Sequence, residues 1–213
     1  MLKMSDDYFL KIKRHQVMMM KDRGYDINDE EWILNVSGGK KFKKKLIEKY
    51  GDFPIRKLLF SEYSHPHKNK KLFIYYIGTE NGKQIKVDTI KNFLCKMTEE
   101  DKDAILVIDT TLSPTAAECF NLITEHHYQI FKEEDLLYHI VNHVHGCHHQ
   151  LCSDDETNQL KIMGVHGKNC AWILHTDAIV QYYDFPIGSY IKINVYIDIS
   201  VLNQHFCHYR VVV

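Results

Sequence analysis

Proline and glycine are scarce in this chain, 4 and 10 among 213 residues, which excludes collagen-like repeats and Pro/Gly low-complexity sequence. No stretch approaches the roughly 18 apolar residues that a membrane span needs. Asp6, Asp7 and Lys11 also interrupt any apolar signal core near the N-terminus, so an intracellular protein with no membrane partner is expected. Charge of one sign is lacking as well. With 27 Lys+Arg against 28 Asp+Glu the formal net charge is −1, so any nucleic-acid contact must come from a local patch rather than from the global field. Six cysteines, Cys95, Cys119, Cys147, Cys152, Cys170 and Cys207, are scattered over a chain too large to need a disulfide scaffold; free thiols are expected.

What is present suffices for a packed core. Hydrophobic residues make up 45% and aromatic residues 12% of the chain, too much apolar surface for an unfolded polypeptide, and the length suits one large domain or two small ones. Ser5 or Asp6 caps a first helix with Tyr8, Phe9, Ile12, Gln16, Met19 and Met20 on one side, ending at Gly24. Asn28 and Glu31 read as a capping pair for a second helix carrying Trp32, Ile33 and Leu34, and a third runs from Lys40 to Tyr50. Strands are expected at Leu58 to Ser61 and Leu72 to Ile77, joined by a loose polar loop, with a turn at Asn81-Gly82. The apolar spacing of Val87 to Met97 is helical, and the continuous apolar run Ala104 to Ile108 marks a strand covered on both faces. Ser113 caps a helix that starts at Pro114 and continues through Ile123; Tyr128 to Phe131 is a further strand, followed by a short helix through Leu136, Leu137 and Ile140.

The composition changes near residue 142. Residues 1–140 hold 23 of the 27 Lys+Arg and 22 of the 28 Asp+Glu, leaving only 4 and 6 beyond, which fits a domain boundary dividing 1–141 from 142–213. In the second part, Ser153 and Glu156 form a capping box for a helix reaching about Met163. Tyr190 to Asp198 alternates as a strand, and Phe206 to Val213 follows as a terminal strand. The fold class is therefore α/β (α+β): three helices, a mixed α/β layer, and a small C-terminal α+β domain.

Three patterns bear on chemistry. His143, His145, Cys147, His148, His149 and Cys152 offer zinc-ligating side chains, but one short loop rarely wraps a tetrahedral ion and no second half-site follows. A zinc-binding interaction module is therefore the minor reading; an interdomain connector with imidazoles bonded to nearby backbone is the major one. The lysines at 40, 41, 43, 44, 45 and 49 read as a solvated helix face, with phosphate contact as the alternative. The order of elements also suits an Mg²⁺-dependent nuclease, which needs an acid on one strand and an acid-x-Lys on the next. Leu72 to Ile77 contains no acid, and Glu80 and Lys83 have the wrong spacing, leaving Asp88 and Asp109 as the acids for that reading. GxSxG, HExxH, Walker A and GxGxxG strings are missing. No catalytic residue, cofactor or metal is expected.

Several short strings, taken in order, resemble the fifth subunit of eukaryotic multisubunit RNA polymerases, with a C-terminal part similar to its counterpart in archaeal RNA polymerase. They are Asp22-Arg23-Gly24-Tyr25, Thr89-Ile90-Lys91, Leu112-Ser113-Pro114-Thr115-Ala116, Leu136-Leu137 with Ile140, the His143-x5-His149 pair, Gly188 with Ile191-Lys192-Ile193, and Tyr209-Arg210-Val211-Val212. The departures fall in the C-terminal part: Ala171-Trp172-Ile173-Leu174 and Asp177-Ala178-Ile179-Val180 replace proline-containing family strings, and a longer segment, Ile199 to Gln204, replaces the turn between the last two strands. Such divergence looks like a version carried by a large DNA virus.

The resemblance implies a non-catalytic polymerase subunit whose N-terminal jaw domain, with a nuclease-like core, lies beside downstream DNA. Its C-terminal assembly domain would dock on the largest subunit, among other polymerase subunits. Ser113, Pro114 and Thr115 would then face DNA, where a helix N-terminus favours phosphate. His143, His149, Tyr209 and Arg210 would belong to the assembly domain. The expected place is the nucleus for a cellular protein, or virion and host cytoplasm for a viral one.

Overall fold

A computed structural model describes residues 5–79, 82–99, 103–122, 127–142, 147–166, 169–199 and 202–213. The chain divides between Tyr138 and His139 into two compact units. Among the described residues no helix is long and apolar enough to cross a membrane.

The first unit opens with α1 (Asp6–Asp22), α2 (Trp32–Asn35), α3 (Gly39–Tyr50) and α4 (Ile55–Leu58). Ser5 caps α1 by accepting from Tyr8 N–H, and Asp6 and Asp7 sit in its first turn, where the helix dipole favours negative charge. The second helix departs from expectation. It is a single turn whose cap position, Glu31, makes no side-chain bond, because Asn28 is occupied in a turn in which its N–H donates to Asp26 Oδ1 at 2.9 Å. Gly39 brings α3 against the start of α1: a Cβ there would lie 2.2 Å from the Asp6 and Asp7 backbone.

Four strands follow in the spatial order β1 (Ser61–His65), β2 (Lys68–Ile77), β3 (Asp103–Ile108) and β4 (Tyr128–Lys132). The first pair is antiparallel; β2, β3 and β4 are parallel, crossing over through α5 (Val87–Glu99) and α6 (Pro114–Asn121). The expected loose loop is instead mostly strand, since Ser64 pairs with Lys71 and His65 with Lys68, and Leu58 closes α4 rather than opening a strand. Ile90, Phe93, Leu94 and Met97 of α5, with Ala116 and Phe120 of α6, pack on Phe73, Leu106 and Ile108. Ile105 and Val107 alternate to the other face, so β3 is buried on both sides. On that second face α1 meets the sheet, where Tyr76 O–H donates to Gln16. Two 3-10 turns, Glu133–Leu136 and Ile140–Asn142, replace the expected short helix, and Ile123 lies outside the described residues.

The second unit is a four-stranded sheet in the order β5 (Cys147–Leu151), β7 (Tyr190–Ile199), β8 (Leu202–Val212) and β6 (Ala171–Ile173). Its helices are α7 (Asp154–Ile162), with the full Ser153/Glu156 capping box, and α8 (Ala178–Tyr183), capped by Asp177. Strands β7 and β8 form one long hairpin in which Tyr190 pairs with Val211 and Ile199 with Leu202. The segment read as a longer connection therefore belongs mostly to strands: Leu202 to Gln204 already pair with β7. Ile173, Ile191, Ile193 and Val212 pack with Val180 on one face of this sheet, and Tyr190 with Cys152, Leu160 and Cys170 on the other.

Candidate functional site

In the first unit the Ser113 turn sits beyond the C-terminal end of β3, between the strand and α6. Its geometry is fixed from two sides. Ile85 N–H donates to Thr111 C=O and Ser113 N–H donates to Ile85 C=O, both at 3.0 Å, while Thr79 and Thr110 hydroxyls each donate to Lys83 C=O. Ser113 accepts from Ala116 N–H at 3.3 Å and Pro114 occupies the first helical position, where its missing N–H costs no hydrogen bond. Pro114 and Thr115 are exposed, Ser113 is half-buried, and the first turn of α6 carries no acid. A braced helix start without a carboxylate is suited to approach by an anion.

Beneath this end of the sheet lies a cluster that sequence reasoning missed. Arg56 forks onto Glu133, with Nε 2.7 Å from Oε1 and the terminal nitrogen donating to Oε2 at 3.1 Å, and also lies 3.4 Å from Asp109. Tyr8 O–H donates to the same Glu133 carboxylate at 3.2 Å, and burial followed by that carboxylate pushes the phenol up to about 12. Thr79 N–H donates to Asp109 Oδ2 at 2.8 Å. Asp109 is thus committed to a structural ion pair, whereas Asp88 lies exposed in the first turn of α5. Among the described residues no three His, Cys, Asp or Glu side chains are grouped to hold a metal ion. The arrangement does not favour a nuclease.

The described residues of the second unit that the resemblance assigns to the assembly domain divide between two faces of its sheet. His149 pairs with Ile193, which pairs with His208, and Arg210 pairs with Ile191 one step along; strand alternation puts all of these on the face covered by α8. Tyr209 falls on the opposite face, packed beside Tyr190 and Cys152. Half-buried His149 is held below the ordinary imidazole value, chiefly by burial, with Asp177 opposing and Arg210 adding to the effect. Arg210 donates to Trp172 C=O at 3.2 Å. A hydrogen bond with Cys207, with burial second, pushes Tyr209 up to about 12. His143 and His145 lie outside the described residues, but Cys147 to Leu151 is no connector: it is edge strand β5, bonded to β7. The alternation Cys147, His149, Leu151 was its sequence signal. All six cysteines are free thiols.

Two family models match the two units in order: RNA polymerase Rpb5, N-terminal domain, over residues 7–97, and RNA polymerase Rpb5, C-terminal domain, over residues 138–212. The chain belongs to the RNA polymerase subunit 5 family. Relatives in Arabidopsis thaliana agree. DNA-directed RNA polymerase V subunit 5A is 28% identical over 194 residues, covering 89% of this chain and 82% of the relative. DNA-directed RNA polymerases IV and V subunit 5B is 26% identical over 197 residues, covering 91% and 85%. The mixed α/β architecture in two units fits these two models, the first matching residues 7–97 of the first unit and the second running through the second unit.

Proposed function

We propose that this chain is a non-catalytic subunit of a DNA-dependent RNA polymerase, docking on the largest subunit through residues 142–213 and placing residues 1–141 as a jaw beside downstream DNA. The carrying observation is that both Rpb5 domain models match in order over the two units. In this reading Ser113, Pro114 and Thr115 face the DNA backbone, offering a helix start free of acidic side chains. His143, His149, Tyr209 and Arg210 serve the assembly domain; for the three described residues, internal support is favoured by their pairing in β5 and β8. The polymerase supplies the chemistry and most of the grip on DNA, which reconciles a near-neutral chain with a place beside the template. The site of action is that polymerase's own compartment, the nucleus for a cellular enzyme.

Affinity purification of the tagged full chain, with identification of co-purifying proteins, tests the reading. The expected result is recovery of the large polymerase subunits, lost when residues 142–213 are deleted and retained when Thr115 is changed to Asp, which should weaken only downstream DNA engagement. Recovery without any polymerase component, or loss of assembly on changing Thr115 alone, would reject it.

A further inference from the structure

Helix α3 carries Lys40, Lys41, Lys43, Lys44 and Lys45 within six positions, and Lys49 one turn further on; only Phe42 and Leu46 turn inward to full burial among its long side chains. This placement works against the helix. Lys40 and Lys41 occupy the first turn, where the dipole disfavours cations and no acid is present, and 40/44 and 41/45 are like-charge pairs at i,i+4. Little inside the chain offsets this. Lys43 reaches Asp6 at 3.6 Å and Lys44 reaches exposed Glu48 at 3.8 Å, whereas among the described residues Lys40, Lys41 and Lys45 have no carboxylate within 4.0 Å. Lys45 instead lies 5.1 Å above the Trp32 ring. Beside the helix, Asn35, Val36, Ser37, Lys41, Lys44, Lys45 and Glu48 line an open cleft of about 370 Å³, three lysines against one carboxylate. A local rule broken with so little internal compensation marks a surface shaped by something outside the fold.

From this we propose that the lysine face of α3 is a second nucleic-acid surface, binding the phosphate backbone of duplex DNA independently of base sequence. Charge complementarity selects the occupant. Lys40 to Lys49 spans about 13 Å along the helix, the rise of about four phosphates on one strand. Along this face the rings are engaged by lysines or buried, Trp32 under Lys45, Tyr50 under Lys49 and Phe42 inside. The charged ends rather than a stacking platform dominate what the surface offers, and backbone rather than base is what it meets. The inference concerns α3 alone and does not rest on the polymerase reading.

Fluorescence anisotropy of the purified full chain with a labelled random-sequence duplex of about 20 base pairs, between about 50 and 200 mM salt, tests it. Replacing Lys40, Lys41, Lys44 and Lys45 by Gln is expected to weaken binding at least tenfold at about 0.1 M salt and to lower the log–log salt slope by about three to four. The four changes lie on exposed positions, and retained circular dichroism separates lost charge from lost fold. Unchanged affinity and slope would overturn the inference, as would equally tight binding of polyglutamate or a preference for single strands abolished by Phe53→Ala. Loss of binding with Thr115→Asp but not with the lysine variant would sink this inference and leave the proposed function standing.

Discussion

The Lys13 ammonium lies 2.9 Å from the Glu30 carboxylate, with the lysine side chain wholly removed from solvent. Gln16 accepts from Lys13 at 2.8 Å and Leu59 C=O at 3.1 Å; Ser61 accepts as well, and Tyr63 O–H donates to Glu30. Burial pulls the Lys13 pKa down and Glu30 pushes it back, so the charge is kept inside only by its partners. The network joins α1, the segment before α2, and β1.

Changing Lys13 to Met should therefore destabilise the first unit by about 3–5 kcal/mol, because Glu30 is left buried without a counter-charge. Urea unfolding reads this as a lower midpoint at unchanged m. Adding Glu30→Gln should recover part of the loss, and a double variant no more stable than the single one would argue against the ion pair.

Arg56→Lys should also destabilise, by about 1–3 kcal/mol, since an ammonium cannot reproduce the two-pronged contact with Glu133. Glu133→Gln gives a spectroscopic readout of the same cluster. Removing its charge should lower the Tyr8 phenol from about 12 toward 10, visible as an ultraviolet difference signal during alkaline titration. A Tyr8 titration identical in both proteins would contradict the contact.

His149 predicts the acid side of the stability profile of the second unit. Its folded-state pKa lies below the ordinary 6.5, so the unfolded chain takes up the proton first; the stability is complete above 6.5 and falls as pH drops below it. His149→Gln should flatten the urea midpoint between about pH 7 and 5. A wild-type midpoint that rises on acidification through this range would show the sign to be wrong.

Burial and the nearby Glu156 carboxylate push the Cys152 thiol up to about 11. Because the thiolate is the nucleophile, Cys152 should alkylate far more slowly at about pH 8 than exposed Cys95 and Cys207. Peptide mass mapping after timed iodoacetamide treatment distinguishes them, and equal rates would refute the assignment.

Much of this architecture was legible where one periodicity ruled. The run Ala104 to Ile108, the Ser113-Pro114 helix start and the Ser153/Glu156 box each combine a local signal with a single structural solution. Legibility failed where tertiary contacts overruled local preference. Asn28 and Glu31 have capping spacing, yet the chain there is held by Glu30, which turns inward to Ser61 and Tyr63. The histidine-rich stretch drew attention for its ligand chemistry and hid a five-residue strand whose alternation was readable. At the candidate sites, the Ser113 turn was visible because capping is local. The Arg56–Glu133 contact joins residues 77 positions apart and leaves no mark in either neighbourhood. Lys13 did leave one: it falls beside Phe9, Gln16 and Met20 on the apolar stripe of α1.

The last strand of the second unit is an interior one, flanked by β7 on one side and β6 on the other. A nonsense mutation ahead of Leu202 would consequently do more than trim an edge. It would strip β6 of its neighbour in the sheet and bare one edge of β7 along its whole length, β5 still holding the other, leaving a sticky product for cellular quality control to destroy. Truncating alleles in this region should accordingly behave as losses of the whole polypeptide.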